Sequence, residues 1–223
     1  MSKQLGILFK PEMVRAILEG RKTQTRRVIK SDANSIYWNP IVLRGKYGWT
    51  DEHGYPVRCD WRIGDYLYVK ETWWQYGHWE HVVPHEGTFE GDTEWKRGAG
   101  EIKFFTDYPT APDITYAGHI KSLWRKMSSL FLAQKDARIW LKITNVRVER
   151  LLDISHADAI YEGVASMMHY DERVFYDYMS KGHDMDIDAI ESYFSLWDSI
   201  NGAGSHKENP WVWIIEFERC EKP

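Results

Sequence analysis

A chain of 223 residues, 43% apolar and 28% charged, can bury a sizeable core without a disulfide or metal staple, and one elaborated domain is expected. The formal net charge of -4 argues against a protein that coats nucleic acid non-specifically. No apolar run approaches the roughly 20 residues that span a bilayer, and the opening Met1-Ser2-Lys3-Gln4 leads into no signal-peptide core, so no membrane association and a cytoplasmic protein are expected. Cys59 and Cys220 have neither CxxC spacing nor a framework pattern, which speaks against a disulfide scaffold or a cysteine zinc site. The charge is unevenly spread: residues 1 to 30 hold eight Lys or Arg against two Glu, leaving -10 for the remainder. A positive segment on an acidic body suits a focused site for an anion or a nucleotide.

Gln4 to Phe9 reads as a first strand. Pro11 to Leu18 reads as a helix, with Pro11 in the first turn and Met13, Val14, Ile17 and Leu18 at one-face spacing. Gly20 ends that helix and releases Arg21, Lys22, Thr23, Gln24, Thr25, Arg26 and Arg27, either a solvated basic loop or a binding turn for an anionic or polar ligand. Residues 31 to 62 are rich in turn signals, with short strands around Ile41 to Leu43. From Ile63 a strand resumes, in which Leu67, Val69 and Glu71 share a face; Glu71 is either a rim residue or the partner of a buried base.

Residues 75 to 113 are broken by Gly and Pro. They hold His78, Glu80, His81, His85 and Glu86 at spacings that match no zinc motif, so a surface hairpin without metal is expected. Ile114 to Ala117 reads as a strand. Arg138 to Leu151 is the clearest strand, with Ile139, Leu141, Ile143, Asn145 and Arg147 on one face, and its length predicts a bend or two sheet partners, as in a barrel. Ser155 caps a compact helix stopped by Gly163. Glu162, its last residue, sits where the helix dipole disfavours a carboxylate, and is either solvated or an answer to the cationic turn. A final helix from about Ile187 to Ile200 presents Ile190, Phe194, Trp197 and Ile200 as a packing stripe, and Asn201 to Ser205 reads as a flexible loop. Trp211, Trp213 and Ile215 share a face of the last strand, as core or as a stacking floor for a base. No Walker loop, dinucleotide fingerprint or nucleophile elbow is present.

Taken together, Gly20 to Arg27, Gly64-Asp65 through Glu71-Thr72-Trp73, Arg138 to Arg150, Ala159 to Val164 and Asn209-Pro210-Trp211-Val212-Trp213 resemble the ASCH domain family, in particular the longer members carried by phages and prophages. The resemblance covers nearly the whole chain and departs from the family between Ser129 and Gln134, where longer relatives usually carry Met-Pro. It implies an α+β fold, a PUA-like small β-barrel with flanking helices, as one domain over residues 1 to 223 with insertions at about 31 to 62 and 75 to 113.

Small bacterial ASCH enzymes remove the acetyl group from N4-acetylcytidine without a cofactor. The resemblance carries their Lys, Thr and Glu onto Lys22, Thr25 and Glu162. Arg21, Arg26, Glu71, Trp73 and Trp213 are then candidates for binding a nucleoside or RNA substrate. The same resemblance leaves open a non-catalytic RNA- or DNA-binding module and a metal-independent ribonuclease.

Overall fold

The structure, a computed structural model, describes residues 2–31, 33–39, 48–81, 93–110, 112, 124–170, 172–180 and 185–223. The expected strands at Ile41 to Leu43 and Ile114 to Ala117, and the residues His85 and Glu86, lie outside the described residues.

The fold is α+β, mostly strands in several sheets. In chain order the elements are β1 (Gln4–Leu8), α1 (Pro11–Leu18), β2 (Gln24–Val28), β3 (Ile36–Asn39), β4 (Gly48–Asp51), β5 (Pro56–Val57), β6 (Tyr66–Lys70), β7 (Trp73–His81), β8 (Thr93–Phe104), β9 (Trp124–Met127), β10 (Trp140–Arg150), α2 (His156–Tyr161), β11 (Ser166–His169), β12 (Glu172–Tyr176), β13 (Met185–Ile187), α3 (Ala189–Asn201) and β14 (Trp211–Cys220). The largest sheet has the order β1-β6-β10-β14-β2, and among the described residues it does not close into a barrel. Among them, too, no helix is long and apolar enough to cross a membrane. The chain divides into two compact units. The first comprises residues 1–5, 16–67 and 139–223, and the second residues 6–15 and 68–138.

In the first unit, β14 pairs antiparallel with β10 on one side and β2 on the other. The entry to β2 follows from the end of α1. Gly20 takes φ +75, a conformation glycine adopts at no steric cost, and the backbone N–H groups of Arg21 and Lys22 both donate to the Ala16 carbonyl. That turn delivers Lys22 to the start of β2 and buries it.

The long strand β10 bends as its length predicts, but the bend changes its faces. A register shift between Ile143 and Asn145 leaves Ile143 opposite Phe217 and Asn145 opposite Glu216. One extra residue in a pleated strand turns everything after it to the other face. Asn145 and Arg147 therefore leave the apolar face of Leu141 and Ile143, and Arg147, Ile214 and Arg26 form a row across three strands.

Helix α3 starts at Ala189, two residues after the expected Ile187, with Asp188 capping it through a bond from Glu191 N–H. Its buried face is Ala189, Ser192, Tyr193, Leu196 and Trp197, while Ile200 is exposed. The expected stripe is thus rotated. Phe194 is instead covered by the His206 ring, stacked at 5.0 Å and 12°. Nor is the glycine-containing loop after α3 loose, because the Asp198 carboxylate accepts from Gly204 N–H, His206 N–H and the Ser205 hydroxyl and contacts His206 Nδ1 at 2.9 Å.

Residues 31 to 62 contain the sheet β3-β4-β5. At its turn, Glu52 accepts backbone N–H bonds from Asn34 and Ser35, which favour the ionised carboxylate and push its pKa down to about 2. Folded pKa lies below unfolded pKa, so this contribution is present above the ordinary value and is lost as pH falls toward about 2. A carboxyl NMR titration of Glu52 is expected to give a midpoint near that value. Glu52→Gln is expected to remove its share of acid sensitivity, and an ordinary midpoint would refute the assignment.

In the second unit, β7 lies between β8 and β9 as a three-stranded antiparallel sheet. The described parts of the segment with the weakest pattern thus pair as antiparallel strands around a register shift between Gln75 and Gly77. One face of the sheet packs the core: Trp73, Leu132 and Ala137 are buried with Tyr68, Ile102, Phe104 and Met127 against them.

Candidate functional site

The cationic turn and the acidic end of α2 meet in the first unit. Ser155 caps α2, and Gly163 ends it at φ +86. A Cβ on Gly163 would stand 2.7 Å from Lys22 Cβ and 3.0 Å from Ala16 Cβ, so glycine here permits both the turn and the close approach of the Lys22 stem. Tyr161 carbonyl accepts from Thr23 N–H, and Asp158 carbonyl accepts from the Gln24 side-chain amide, pinning the helix end over β2.

Glu162 is the hub. The Lys22 ammonium donates to both the Glu162 backbone carbonyl and Oε2, each at 2.8 Å, and Arg26 Nη1 donates to Oε1 at 2.9 Å. The side chains of Lys22 and Arg26 are both 0% exposed and that of Glu162 is 4%, so these charges lie out of water and only their mutual pairing makes that tolerable. A carboxylate misplaced for the helix dipole is thus explained by two buried cations. Arg21 joins from the rim, with Nη1 on the Gly163 carbonyl at 2.8 Å.

The cluster continues along the sheet. Arg26 Nη2 lies 3.4 Å from Asp158 Oδ2 and 3.7 Å from Glu149 Oε2. Arg147 reaches Asp158 Oδ1 at 3.0 Å and Glu149 Oε1 at 2.8 Å, and also binds Glu216. Tyr193 from α3 is buried with the Arg26 guanidinium 5.6 Å from its ring centroid. Burial pulls the Lys22 ammonium below its ordinary pKa against the opposing pull of Glu162, and burial together with Glu162 holds the Tyr193 phenol well above its own. Although burial resists its ionisation, Asp158 is kept below the usual range by Arg147 and Arg26.

The other expected site residues fall elsewhere. Thr25 is buried on β2 opposite Ile215; strand alternation puts its side chain on the face away from Gln24 and Arg26, which both reach α2. Trp213 is buried on β14 opposite Arg27, with its ring 5.5 Å edge-on from Trp49. Glu71 and Trp73 belong to the second unit. There Glu71, 1% exposed, accepts from Arg138 Nε and Nη2 at 3.0 Å each and from the Thr106 hydroxyl, while Arg138 also binds Asp107. Trp73 is part of that unit's core.

Sequence reasoning missed Glu149, Arg147, Asp158 and Tyr193 as neighbours of the cationic turn. Their signal was faint: Arg147 looked like part of an apolar strand face until the bulge turned it, and Tyr193 was one of many aromatic rings. Comparison of the chain with protein-family models, with curated protein sequences and with solved structures returns no match.

Proposed function

We propose that the chain is an ASCH-type protein of the PUA-like class and that its first unit is a nucleoside- or RNA-directed amidohydrolase acting on an acylated base such as N4-acetylcytidine. The observation that carries this reading is the meeting of Lys22, Arg26 and Glu162 in one buried cluster, with the Lys22 pKa lowered by burial. A lysine becomes a base at moderate pH only when its ammonium is disfavoured, and removal from water supplies that bias here.

The resemblance assigns neutral Lys22 the proton of the Thr25 hydroxyl as that oxygen bonds to the acyl carbon, a step that requires the Thr25 side chain to be brought to the Lys22 face of β2. The C–N bond to the base then breaks, and the proton passes to the leaving amine. Water next cleaves the acyl-threonine, returning the hydroxyl and releasing the acid. Glu162 holds the Lys22 nitrogen in place and, with Arg26, orients the base amine. The role of Thr25 rests on the resemblance, since its strand position turns it from the Glu162 face.

Incubation with N4-acetylcytidine, followed by chromatography for cytidine, tests the proposal. Turnover is expected to rise with pH through a midpoint below the ordinary lysine value of 10.5. Lys22→Ala and Thr25→Ala are each expected to abolish it while the fold survives. Activity that persists in Thr25→Ala would remove the acyl-enzyme step, and no turnover by folded wild type at high concentration would sink the amidohydrolase reading. Salt-dependent RNA retention without turnover would instead support the non-catalytic alternative.

A further inference from the structure

The second face of the β8-β7-β9 sheet has no role in the chemistry above. One face of this sheet meets the core of the second unit, and an outward face of an antiparallel sheet ordinarily carries polar residues. Here it carries rings. Lys103 and Lys126 stand directly opposite Trp74 on its two neighbouring strands, and the next same-face position of β7, Tyr76, pairs with Trp124.

The turn after β8 adds Phe105 and Tyr108. Trp74 and Phe105 lie 6.2 Å apart, and Tyr76 and Trp124 meet edge-on at 5.4 Å. Lys126 Nζ sits 3.7 Å over the Phe105 ring, and Lys103 Nζ is 5.1 Å and 5.0 Å from the Tyr108 and Trp124 rings. Trp74 and Trp124 are buried beneath this layer, whereas Tyr76 is 38% and Tyr108 43% exposed, with Lys126 exposed beside them. Further along the same face Lys96 pairs with Glu94 at 2.6 Å and His78 contacts Glu80 at 2.6 Å, so the cations set among the rings are Lys103 and Lys126.

The geometry points to this face as a binding platform for single-stranded nucleic acid, with bases stacking on Tyr76 and Tyr108 and phosphates on Lys103 and Lys126. The two needs of such a strand, a flat π-surface for each base and a cation for each phosphate, are both present on one sheet face. An acidic peptide would use the lysines and leave the tyrosines unexplained. A duplex would offer phosphates but no exposed base faces. This platform does not depend on hydrolysis in the first unit.

The test is fluorescence anisotropy of the full chain with a labelled oligouridylate of about 12 nucleotides, titrated at low and physiological salt. Binding that weakens with salt is expected, with matched duplex RNA bound more weakly. Replacing both Lys103 and Lys126 by Gln is expected to flatten the dependence of log affinity on log salt by about 1.4, two contacts at about 0.7 each. Tyr108→Ser and Tyr76→Ser are each expected to weaken binding about fivefold or more, and Tyr76→Phe to keep it, because the ring and not the hydroxyl stacks. Both tyrosines are exposed, so circular dichroism should show these variants folded. The proposal is overturned if folded wild type fails to bind at low salt, or if the variants bind like wild type while Lys22→Ala does not. Capture of a poly-glutamate peptide or anionic vesicles in place of the oligonucleotide, lost on the same lysine changes, also overturns it.

Discussion

Glu162→Ala is expected to destabilise the protein by about 3–5 kcal/mol at pH 7, the usual cost of leaving a buried charge without its partner. For a chain of this length that corresponds to a fall in melting temperature of about 6–20 °C, readable by calorimetry. The magnitude follows from what remains: a Lys22 ammonium and an Arg26 guanidinium, both with 0% exposed side chains, lose the carboxylate that binds each of them. Lys22→Met gives the contrasting result. It removes a cation whose burial is already unfavourable and leaves Glu162 paired with Arg26, so its melting temperature is expected to stay within a few degrees of wild type while the proposed turnover is lost.

The pH profile separates these effects further. Burial lowers the folded pKa of Lys22 below its unfolded 10.5, so between those values the unfolded chain binds more protons and stability rises with pH. Tyr193 acts in the opposite sense. Its folded pKa lies well above 10.0, so the unfolded chain loses that proton first and stability falls as pH climbs past 10.0. Lys22→Met is expected to abolish the rising limb and Tyr193→Phe the falling one. A wild-type profile unchanged by Lys22→Met would mean that the buried ammonium is not what the pH trend reports.

The second large effect belongs to the other unit. Arg138→Ala strips Glu71 of a two-point partner, and a carboxylate 1% exposed then keeps only the Thr106 hydroxyl among the bonds described. A loss of about 1–3 kcal/mol is expected, below that of a wholly buried pair because Arg138 is exposed and its loss opens Glu71 to water. Arg138→Ala in a Glu71→Gln background is expected to cost much less, because no charge is stranded. Equal losses in the two backgrounds, read from a double-mutant cycle, would show that Arg138 acts through Asp107, Thr106 and its packing over Phe104, 4.1 Å from that ring, and not through Glu71.

Particular residues show what could be read along the chain. Leu67, Val69 and Glu71 share a buried face as their alternation predicts, at 0%, 0% and 1% exposure; of the two readings open for the carboxylate, rim residue or partner of a buried base, neither holds whole, because Glu71 is buried and pairs with a base that is itself exposed. The base itself, Arg138, is 67 residues away. Likewise, Pro11, Gly20, Ser155 and Gly163 mark helix ends by local chemistry, because steric freedom and capping act within a few bonds. The order of sheet neighbours carries no such local mark. Nor does the bulge after Ile143, which depends on how β10 and β14 fit together and decides that Arg147 faces Arg26.

The cationic turn brings the two levels together. The sequence by itself determined that Arg21 to Arg27 follow a short helix as a concentrated positive charge, and that Glu162 is a carboxylate at the wrong end of a helix dipole, since both are properties of neighbouring residues. Only the tertiary structure decided that these two oddities answer each other across 140 residues of chain. Burying a charge is tolerable only beside its counter-charge, and where the counter-charge comes from is settled by packing, which no local pattern encodes.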